Sequence, residues 1–317
     1  MSAFDPDQAA VVARIKAGPQ VDLRTLPMEE ARKVFMENQK AWLFDLHPVA
    51  EIRDFEVPGA TGPQRARLYR PAVQGALPVI LFVHGGGWTF GSIDSHGPVM
   101  QSLAALSGCA VLGIDYRLAP ECPFPGPLDD VLAALAHVES GGLGAGYDGS
   151  RTALAGDSAG ANLALGAIVA RRDAGGPLPR TAALFYGCFA PIFDTDSHKR
   201  NGDGSFLLST ASMQWYWRNF LGSQHDAPPP AAAPLNADLK GLPPLYLNAA
   251  ALDPLLDDTL LICGRLAAAG VRYRFDLWPG VVHGFLRFAG AIKASRDAIA
   301  AAAAYLNAEL TDKPGRT

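Results

Sequence analysis

The sequence has few cysteines, no long apolar run and no cluster of basic residues, and each absence excludes a class of protein. The four cysteines form no CxxC pair and no metal-binding spacing, which argues against a disulfide framework or a metal site and favours buried free thiols. The longest apolar stretches are too short to span a bilayer. Lysine and arginine total 27 against 31 aspartates and glutamates, a net charge of −4, so we expect no nucleic-acid partner. The cysteines are Cys109, Cys122, Cys188 and Cys263.

The N-terminal stretch is polar and lacks the basic and apolar regions of a signal peptide. We therefore expect a soluble, cytoplasmic protein with no membrane partner. Hydrophobic residues make up 49 % of the 317 positions, which is enough for a large core and excludes disorder of the whole chain. This length fits one large α/β domain with a modest addition, or two small domains.

Short apolar runs alternate with segments of helical spacing along most of the chain. Alternation of buried strands and helices indicates a mostly parallel sheet with helices on both faces. The predicted strands cover residues 79–83, 110–114, 152–155, 182–186, 245–249 and 273–277. The predicted helices between and after them cover residues 98–107, 128–139, 160–171, 257–269 and 292–310.

Two regions depart from this alternation. Residues 1–50 have the apolar spacing of helices, and residues 191–234 hold polar loops, an aromatic helix at 213–221 and a proline-rich stretch. We expect an α/β core formed by residues 51–190 and 235–317. The other two segments then form a helical cap over the sheet.

The sequence Gly156-Asp157-Ser158-Ala159-Gly160 follows an apolar strand and precedes a helix rich in alanine and leucine. This is the setting of a nucleophile elbow, in which a serine sits on a strained strand-to-helix turn and needs very small neighbours. The helix that begins there directs its free N–H groups at the serine and favours developing negative charge. Ser158 is the predicted nucleophile, although the motif alone is a weak signal.

A second motif, His84-Gly85-Gly86-Gly87-Trp88, follows the first long apolar strand. Glycines let the backbone approach a substrate closely and present N–H donors to an oxyanion. No Lys-Ser/Thr pair follows the motif and it does not form a GxGxxG, which excludes a phosphate loop and argues against a dinucleotide site at this position. The motif therefore favours acyl transfer.

A serine hydroxyl needs a base, and the base needs an acid to orient it. His198, His225 and His283 follow Ser158 in the chain. His198 and His225 lie in the polar 191–234 segment, whereas His283 lies in the loop that follows the predicted 273–277 strand. Asp253 likewise follows the 245–249 strand, whereas Asp257 and Asp258 stand where a helix begins. Chain order and strand-end position thus predict Asp253 and His283 as acid and base.

Together these motifs resemble the hormone-sensitive-lipase-like carboxylesterases, the bacterial family IV esterases of the α/β-hydrolase superfamily. The resemblance covers about residues 75–290. Besides the two glycine motifs it includes Asp115-Tyr116-Arg117-Leu118-Ala119-Pro120-Glu121, Pro123-Phe124-Pro125 with Asp129, Asn162-Leu163-Ala164, Gly241-Leu242-Pro243-Pro244, Asp253-Pro254-Leu255 and His283-Gly284-Phe285.

The resemblance implies an α/β-hydrolase fold with a helical cap and a triad of Ser158, Asp253 and His283. It implies an oxyanion hole made by the N–H groups of Gly85, Gly86 and Ala159, and a structural role for His84 in its loop. It further implies hydrolysis of a small-molecule, short-acyl ester without cofactor or metal, by a monomer or homodimer.

Two alternatives to an esterase remain open. Amide or formamide hydrolysis uses the same triad, and a ligand receptor on the same fold is disfavoured because the triad histidine is present. Substrate preference is also open, since the chain departs from its relatives at 186–189 and matches them loosely at 194–204. The pocket is expected to be lined by Trp88, Phe285 and Trp215.

Overall fold

The computed structural model describes residues 4–45 and 47–311. Within them, eight strands form one sheet in the order β1-β2-β4-β3-β5-β6-β7-β8. The strand β2 pairs antiparallel with β1 and β4, and the remaining pairs are parallel. The strands are β1 (Glu51–Pro58), β2 (Pro63–Arg70), β3 (Leu77–Val83), β4 (Ala110–Ile114), β5 (Tyr147–Asp157), β6 (Thr181–Phe185), β7 (Leu245–Leu252) and β8 (Tyr273–Val282).

The α/β-hydrolase fold class and the six predicted strands are confirmed. Strands β3 to β7 were readable because helices cover both faces of a parallel sheet, which makes each inner strand a nearly continuous apolar run. Strand β8 lies at the other edge of the sheet and carries apolar residues at alternate positions, Tyr273, Phe275 and Leu277. The antiparallel pair β1 and β2 gives no such signal, since β1 lies at the edge and most of its residues are exposed.

Helices surround the sheet, and the predicted helical segments are present with shifted ends. The described helices are α1 (Pro6–Ala17), α2 (Met28–Lys40), α3 (Ile93–Ser107), α4 (Gly126–Glu139), α5 (Ala159–Asp173), α6 (Asp196–Asn201), α7 (Thr210–Leu221), α8 (Leu256–Ala268) and α9 (Lys293–Thr311).

Helix α3 begins five residues before the predicted start at Pro98. The Ser92 side chain accepts the backbone N–H groups of Asp94 and Ser95, and the Ser95 hydroxyl accepts the N–H of Ser92. This reciprocal capping satisfies the free N–H groups of the first turn and places Pro98 inside the helix.

The core has two layers, one on each face of the sheet, and β3 shows how they divide. Its side chains alternate: Val79, Leu81 and Val83 belong to the layer that includes residues of α4, α5 and α8, whereas Ile80 and Phe82 belong to the layer that includes residues of α3 and α9. All four cysteines are free thiols, as expected, and three of them are buried in or beside these layers. In the described part of the chain, no helix has the length and apolar content needed to cross a membrane.

The two segments predicted to form a cap both contact the loop that follows β3. The Arg32 guanidinium of α2 donates to the carbonyls of Thr89 and Ala119 and pairs with Glu121 at 2.7 Å. Helices α6 and α7 lie in the 191–234 segment, between β6 and β7 in the chain. Trp217 of α7 is buried and packs against Trp88 of the loop after β3, with ring centroids 4.6 Å apart.

Candidate active site

Strand β5 ends at Asp157, helix α5 begins at Ala159, and Ser158 occupies the turn between them with φ 54° and ψ −119°. A non-glycine residue at positive φ is strained. The turn requires glycine on both sides, because a Cβ at Gly160 would overlap the Val83 carbonyl and one at Gly156 would lie 2.5 Å from the Gly160 carbonyl carbon. The backbone therefore has the shape that the GxSxG sequence predicts.

Ser158, His283 and Asp253 follow the carboxyl ends of β5, β8 and β7, and the fold brings their side chains into one hydrogen-bonded chain. Ser158 Oγ lies 2.9 Å from His283 Nε2, and His283 Nδ1 lies 2.7 Å from Asp253 Oδ2. Asp253 is 1 % exposed, and its second oxygen accepts the backbone N–H of Leu255 at 2.8 Å. This arrangement can hold a neutral imidazole in the tautomer that accepts the Ser158 proton.

The competing acids and histidines lie elsewhere. Asp257 accepts the N–H of Ser197, and Asp258 accepts the N–H of Phe189. His198 contacts the Thr210 hydroxyl through Nδ1, and His225 is exposed beside Asp226.

The loop after β3 corrects the expected role of Gly85. Its backbone N–H donates to Asp157 Oδ1 at 2.8 Å in a buried position, so this group is not available to an oxyanion. Gly86 and Gly87 have φ values of 122° and 61° and line the cavity at Ser158. Within the described residues, the N–H groups of Gly86 and Gly87 donate to no protein acceptor. Ala159 is the first residue of helix α5, so its N–H has no acceptor within the helix.

Asp157 is the anchor of this loop. Besides accepting the Gly85 N–H, Asp157 Oδ1 lies 3.2 Å from His96 Nε2, and the Tyr186 hydroxyl lies 3.5 Å from Asp157 Oδ2. Burial acts to raise the pKa of Asp157, but the nearby His96 ring, the charge of Arg287 and the Gly85 N–H outweigh burial and hold the pKa at about 2. The carboxylate is thus charged at neutral pH.

His84 supports the same loop, in keeping with the structural role that the resemblance implies. Its ring stacks on Tyr116 with centroids 4.3 Å apart, and the Tyr116 hydroxyl donates to the His84 carbonyl at 2.9 Å. Burial, together with the neighbouring His96, lowers the pKa of His84 to about 3, so the ring is neutral.

The cavity at Ser158 has a volume of about 140 Å³ and is not lined by the three expected aromatic residues. Trp88 is fully buried and stacks on Phe220 at 4.2 Å, because its φ of 56° turns it into the core. Phe285 is buried against Tyr186 and Trp278. Trp215 packs beside Phe90 instead.

Residues from four separate segments line the cavity in their place. Sequence reasoning missed them because none stands in a motif, and only Arg287 lies close to one, four residues after His283. They are Phe35 of α2, His96 of α3, Leu207, Leu208, Met213 and Tyr216 of the 191–234 segment, and Arg287 after β8.

Comparison with known proteins agrees with this geometry. Residues 80–287 match the sequence profile of a family described as alpha/beta hydrolase fold. This chain belongs to the α/β-hydrolase family. The resemblance to its hormone-sensitive-lipase-like members is confirmed, as is the prediction that the protein is an enzyme, a hydrolase.

Relatives of this α/β-hydrolase carry esterase names. Carboxylesterase NlhH of Mycobacterium tuberculosis is 39 % identical over 231 residues, which are 72 % of each chain. Esterase LipI of the same organism is 35 % identical over 261 residues, which are 80 % of each chain.

Solved structures extend the likeness to almost the whole chain. A hyperthermophilic esterase from the archaeon Pyrobaculum calidifontis has a TM-score of 0.92 at 32 % identity, covering 96 % of this chain and 98 % of its own. A thermostable esterase from Pseudomonas putida ECU1011 has a TM-score of 0.92 at 29 % identity, covering 98 % and 99 %.

Proposed function

We propose that this hydrolase is a carboxylesterase that cleaves small, short-acyl esters through a triad of Ser158, His283 and Asp253. The observation that carries the proposal is the continuous contact from Ser158 Oγ to His283 Nε2, at 2.9 Å, and from His283 Nδ1 to Asp253 Oδ2, at 2.7 Å. The esterase names of relatives and neighbouring structures give the bond class.

In the first half of the reaction, Ser158 Oγ attacks the ester carbonyl carbon while His283 Nε2 takes its proton. The carbonyl oxygen becomes an oxyanion, and the free N–H groups of Gly86, Gly87 and Ala159 stabilise it. His283 then gives the proton to the leaving alcohol oxygen, and the C–O bond breaks. Asp253 stabilises the imidazolium throughout.

In the second half, His283 takes a proton from water, and the resulting hydroxide attacks the acyl carbon. Collapse of this second oxyanion breaks the bond to Ser158, which recovers its proton from His283, and the carboxylic acid leaves. The overall reaction consumes one ester and one water and yields one acid and one alcohol.

The size of the cavity favours short substrates. Its volume of about 140 Å³ lies below the ~300–1,000 Å³ of pockets that hold drug-sized ligands. Phe35 comes from residues 1–50, and Leu207, Met213 and Tyr216 come from residues 191–234. We propose that these two segments act as the cap that limits acyl-chain length.

Hydrolysis of p-nitrophenyl esters from acetate to laurate tests the proposal. We expect the rate to peak at short chains and to fall by roughly 10⁴-fold or more in Ser158→Ala. The matched control Ser223→Ala removes an exposed hydroxyl and should retain full activity. Substantial hydrolysis by Ser158→Ala would refute the triad, and cleavage of formanilides in place of esters would favour an amidase.

A further inference from the structure

Arg287 is a half-buried cation at the candidate active site. Its guanidinium donates to the Gln39 side chain at 2.6 Å through Nη1 and to the Gly284 carbonyl at 3.4 Å through Nε. Among the described residues, no carboxylate oxygen lies within the 4.0 Å of an ion pair, and Nη2 donates to no acceptor. The side chain lines the same cavity as Ser158 and His283.

Several partly buried arginines of the chain are paired with a carboxylate, and of the four described ones that are not (Arg70, Arg180, Arg287 and Arg296) only Arg287 lines the cavity at Ser158. Arg67 pairs with Asp54 at 2.5 Å, Arg117 pairs with Asp130 at 2.7 Å, and Arg171 pairs with Glu139 at 2.7 Å. An arginine is always charged, and removing it from water is unfavourable unless an anion compensates. A guanidinium that faces a substrate cavity with a free donor is therefore suited to bind an anionic group of the substrate.

A second observation concerns the cleft that leads to Arg287. This cleft has a volume of about 500 Å³ and shares Phe35, Leu207 and Arg287 with the cavity at Ser158. Its rim carries Arg14, which stacks on Trp42, and Lys16, which donates to a backbone carbonyl, both without a carboxylate partner in the described structure.

The cleft is consequently positive although the chain has a net charge of −4. Glu37 is the single acid among the described residues of its lining, and it is paired with Lys40 at 2.6 Å. A positive cleft on an acidic protein raises the local concentration of anions and speeds their association.

Resting on the proposed esterase activity, we propose that the preferred substrates are esters that carry a carboxylate in one half, held by Arg287. The free Nη2 donor of the planar guanidinium is suited to a carboxylate oxygen of the substrate. The carboxylate takes no part in the reaction: water still adds across the ester bond that Ser158 opens. The group stands either in the acyl half, as in a half-ester of a dicarboxylic acid, or in the alcohol half, as in an acylated hydroxy acid.

Two isosteric pairs of substrates distinguish a carboxylate in the acyl half from one in the alcohol half. Ethyl hydrogen succinate is compared with ethyl levulinate, which replaces the carboxylate of the acyl half by a methyl ketone. Acetoxyacetate is compared with acetoxyacetone, which makes the same change in the alcohol half. Acid release at constant pH gives kcat/KM for each, and we expect the anionic member of one pair to be preferred about tenfold or more.

The preference should depend on Arg287. We expect Arg287→Met to lower the anionic-to-neutral ratio at least about tenfold and Arg287→Lys to retain part of it. The matched control Arg218→Met removes one exposed positive charge from α7 and should leave the ratio unchanged. The wild-type preference should also shrink as sodium chloride is raised, because salt screens the exposed rim; this readout needs no variant.

The alternative is that Arg287 acts only through its charge on Asp157 or through its contact with Gln39. Such a role would lower activity on both members of each pair equally. Equal loss, or a wild-type enzyme that cleaves neutral esters without charge preference, overturns the inference and leaves the esterase proposal standing. Failure to cleave any ester would overturn both.

Discussion

His96 Nε2 lies 3.2 Å from Asp157 Oδ1, and this buried contact links helix α3 to the residue that precedes Ser158. The same oxygen accepts the Gly85 N–H at 2.8 Å, so one carboxylate fixes both the serine turn and the glycine loop. The position of the loop relative to Ser158 thus depends on the Asp157 side chain, which is not one of the three triad candidates.

Replacement of Asp157 should therefore weaken catalysis without touching the triad. Asp157→Ala leaves the Gly85 N–H and His96 without their acceptor, and we expect kcat to fall roughly 10²-fold as the oxyanion donors move. Asp157→Asn retains one acceptor oxygen and should lose less. Steady-state kinetics on p-nitrophenyl acetate measures the difference, and equal activity of wild type and Asp157→Ala would contradict this role.

The glycine loop can also be tested by adding one methyl group. A Cβ at Gly86 would overlap the Phe90 carbonyl, and φ there is 122°. Gly86→Ala should displace the loop and lower kcat roughly 10²- to 10³-fold. Gly75→Ala is the matched control, since Gly75 has φ 92° but open space around its Cβ position, and it should reduce stability slightly and activity little. Similar kcat values for the two variants would count against the assigned loop.

In the proposed triad Asp253 orients His283, and we expect that an asparagine at this position cannot replace the carboxylate. Asp253→Asn presents either an amide N–H or a weaker acceptor to His283 Nδ1 and favours the wrong tautomer, so kcat is expected to fall by about 10⁴-fold. Asp257→Asn, four residues later, should stay within a few-fold of wild type because Asp257 only accepts the Ser197 N–H. Kinetics of the two variants decides which carboxylate serves the triad.

The ring of Tyr216 lines the cavity and lies against Gly87, whereas the neighbouring Trp215 packs beside Phe90. Tyr216→Ala should enlarge the cavity and shift the preference toward longer acyl chains, by roughly 10-fold in the ratio of kcat/KM for octanoate and acetate. Trp215→Ala should leave that ratio nearly unchanged. An equal shift in both variants would show that the two side chains act together.

Stability should fall as pH rises because of Asp258. Burial raises the pKa of this carboxyl to about 8, against about 3.9 in an unfolded chain. Between these values the folded state binds the extra proton, so the free energy of unfolding decreases with pH by at most about 1.4 kcal/mol per unit. Asp258→Asn removes the titrating group and with it this dependence. The asparagine oxygen can still accept the Phe189 N–H, which donates to Asp258 Oδ1 at 2.9 Å in the wild type. Urea unfolding between pH 5 and 8 should be flatter for the variant; an unchanged slope would refute the shift.

The strand ends were readable because the chemistry of this fold is tied to backbone geometry. Ser158, Asp253 and His283 each follow an apolar strand, and parallel strands bring such positions to one edge of the sheet. By contrast, the prediction that the Gly85 N–H is an oxyanion donor was wrong. A run of consecutive glycines does not show which of their N–H groups donates to a side chain elsewhere in the protein. That acceptor, Asp157, comes 72 residues later.

The amino-acid sequence by itself determined six of the eight described strands, the serine turn and the order of the three triad candidates, because each depends on local periodicity or on glycine at strained positions. Only the tertiary structure decided the walls of the cavity. Trp88 is turned inward at a positive φ, while Tyr216 and Arg287 line the cavity from positions outside any motif. Side-chain direction at a loop depends on packing against distant segments, and no pattern within the loop records those contacts.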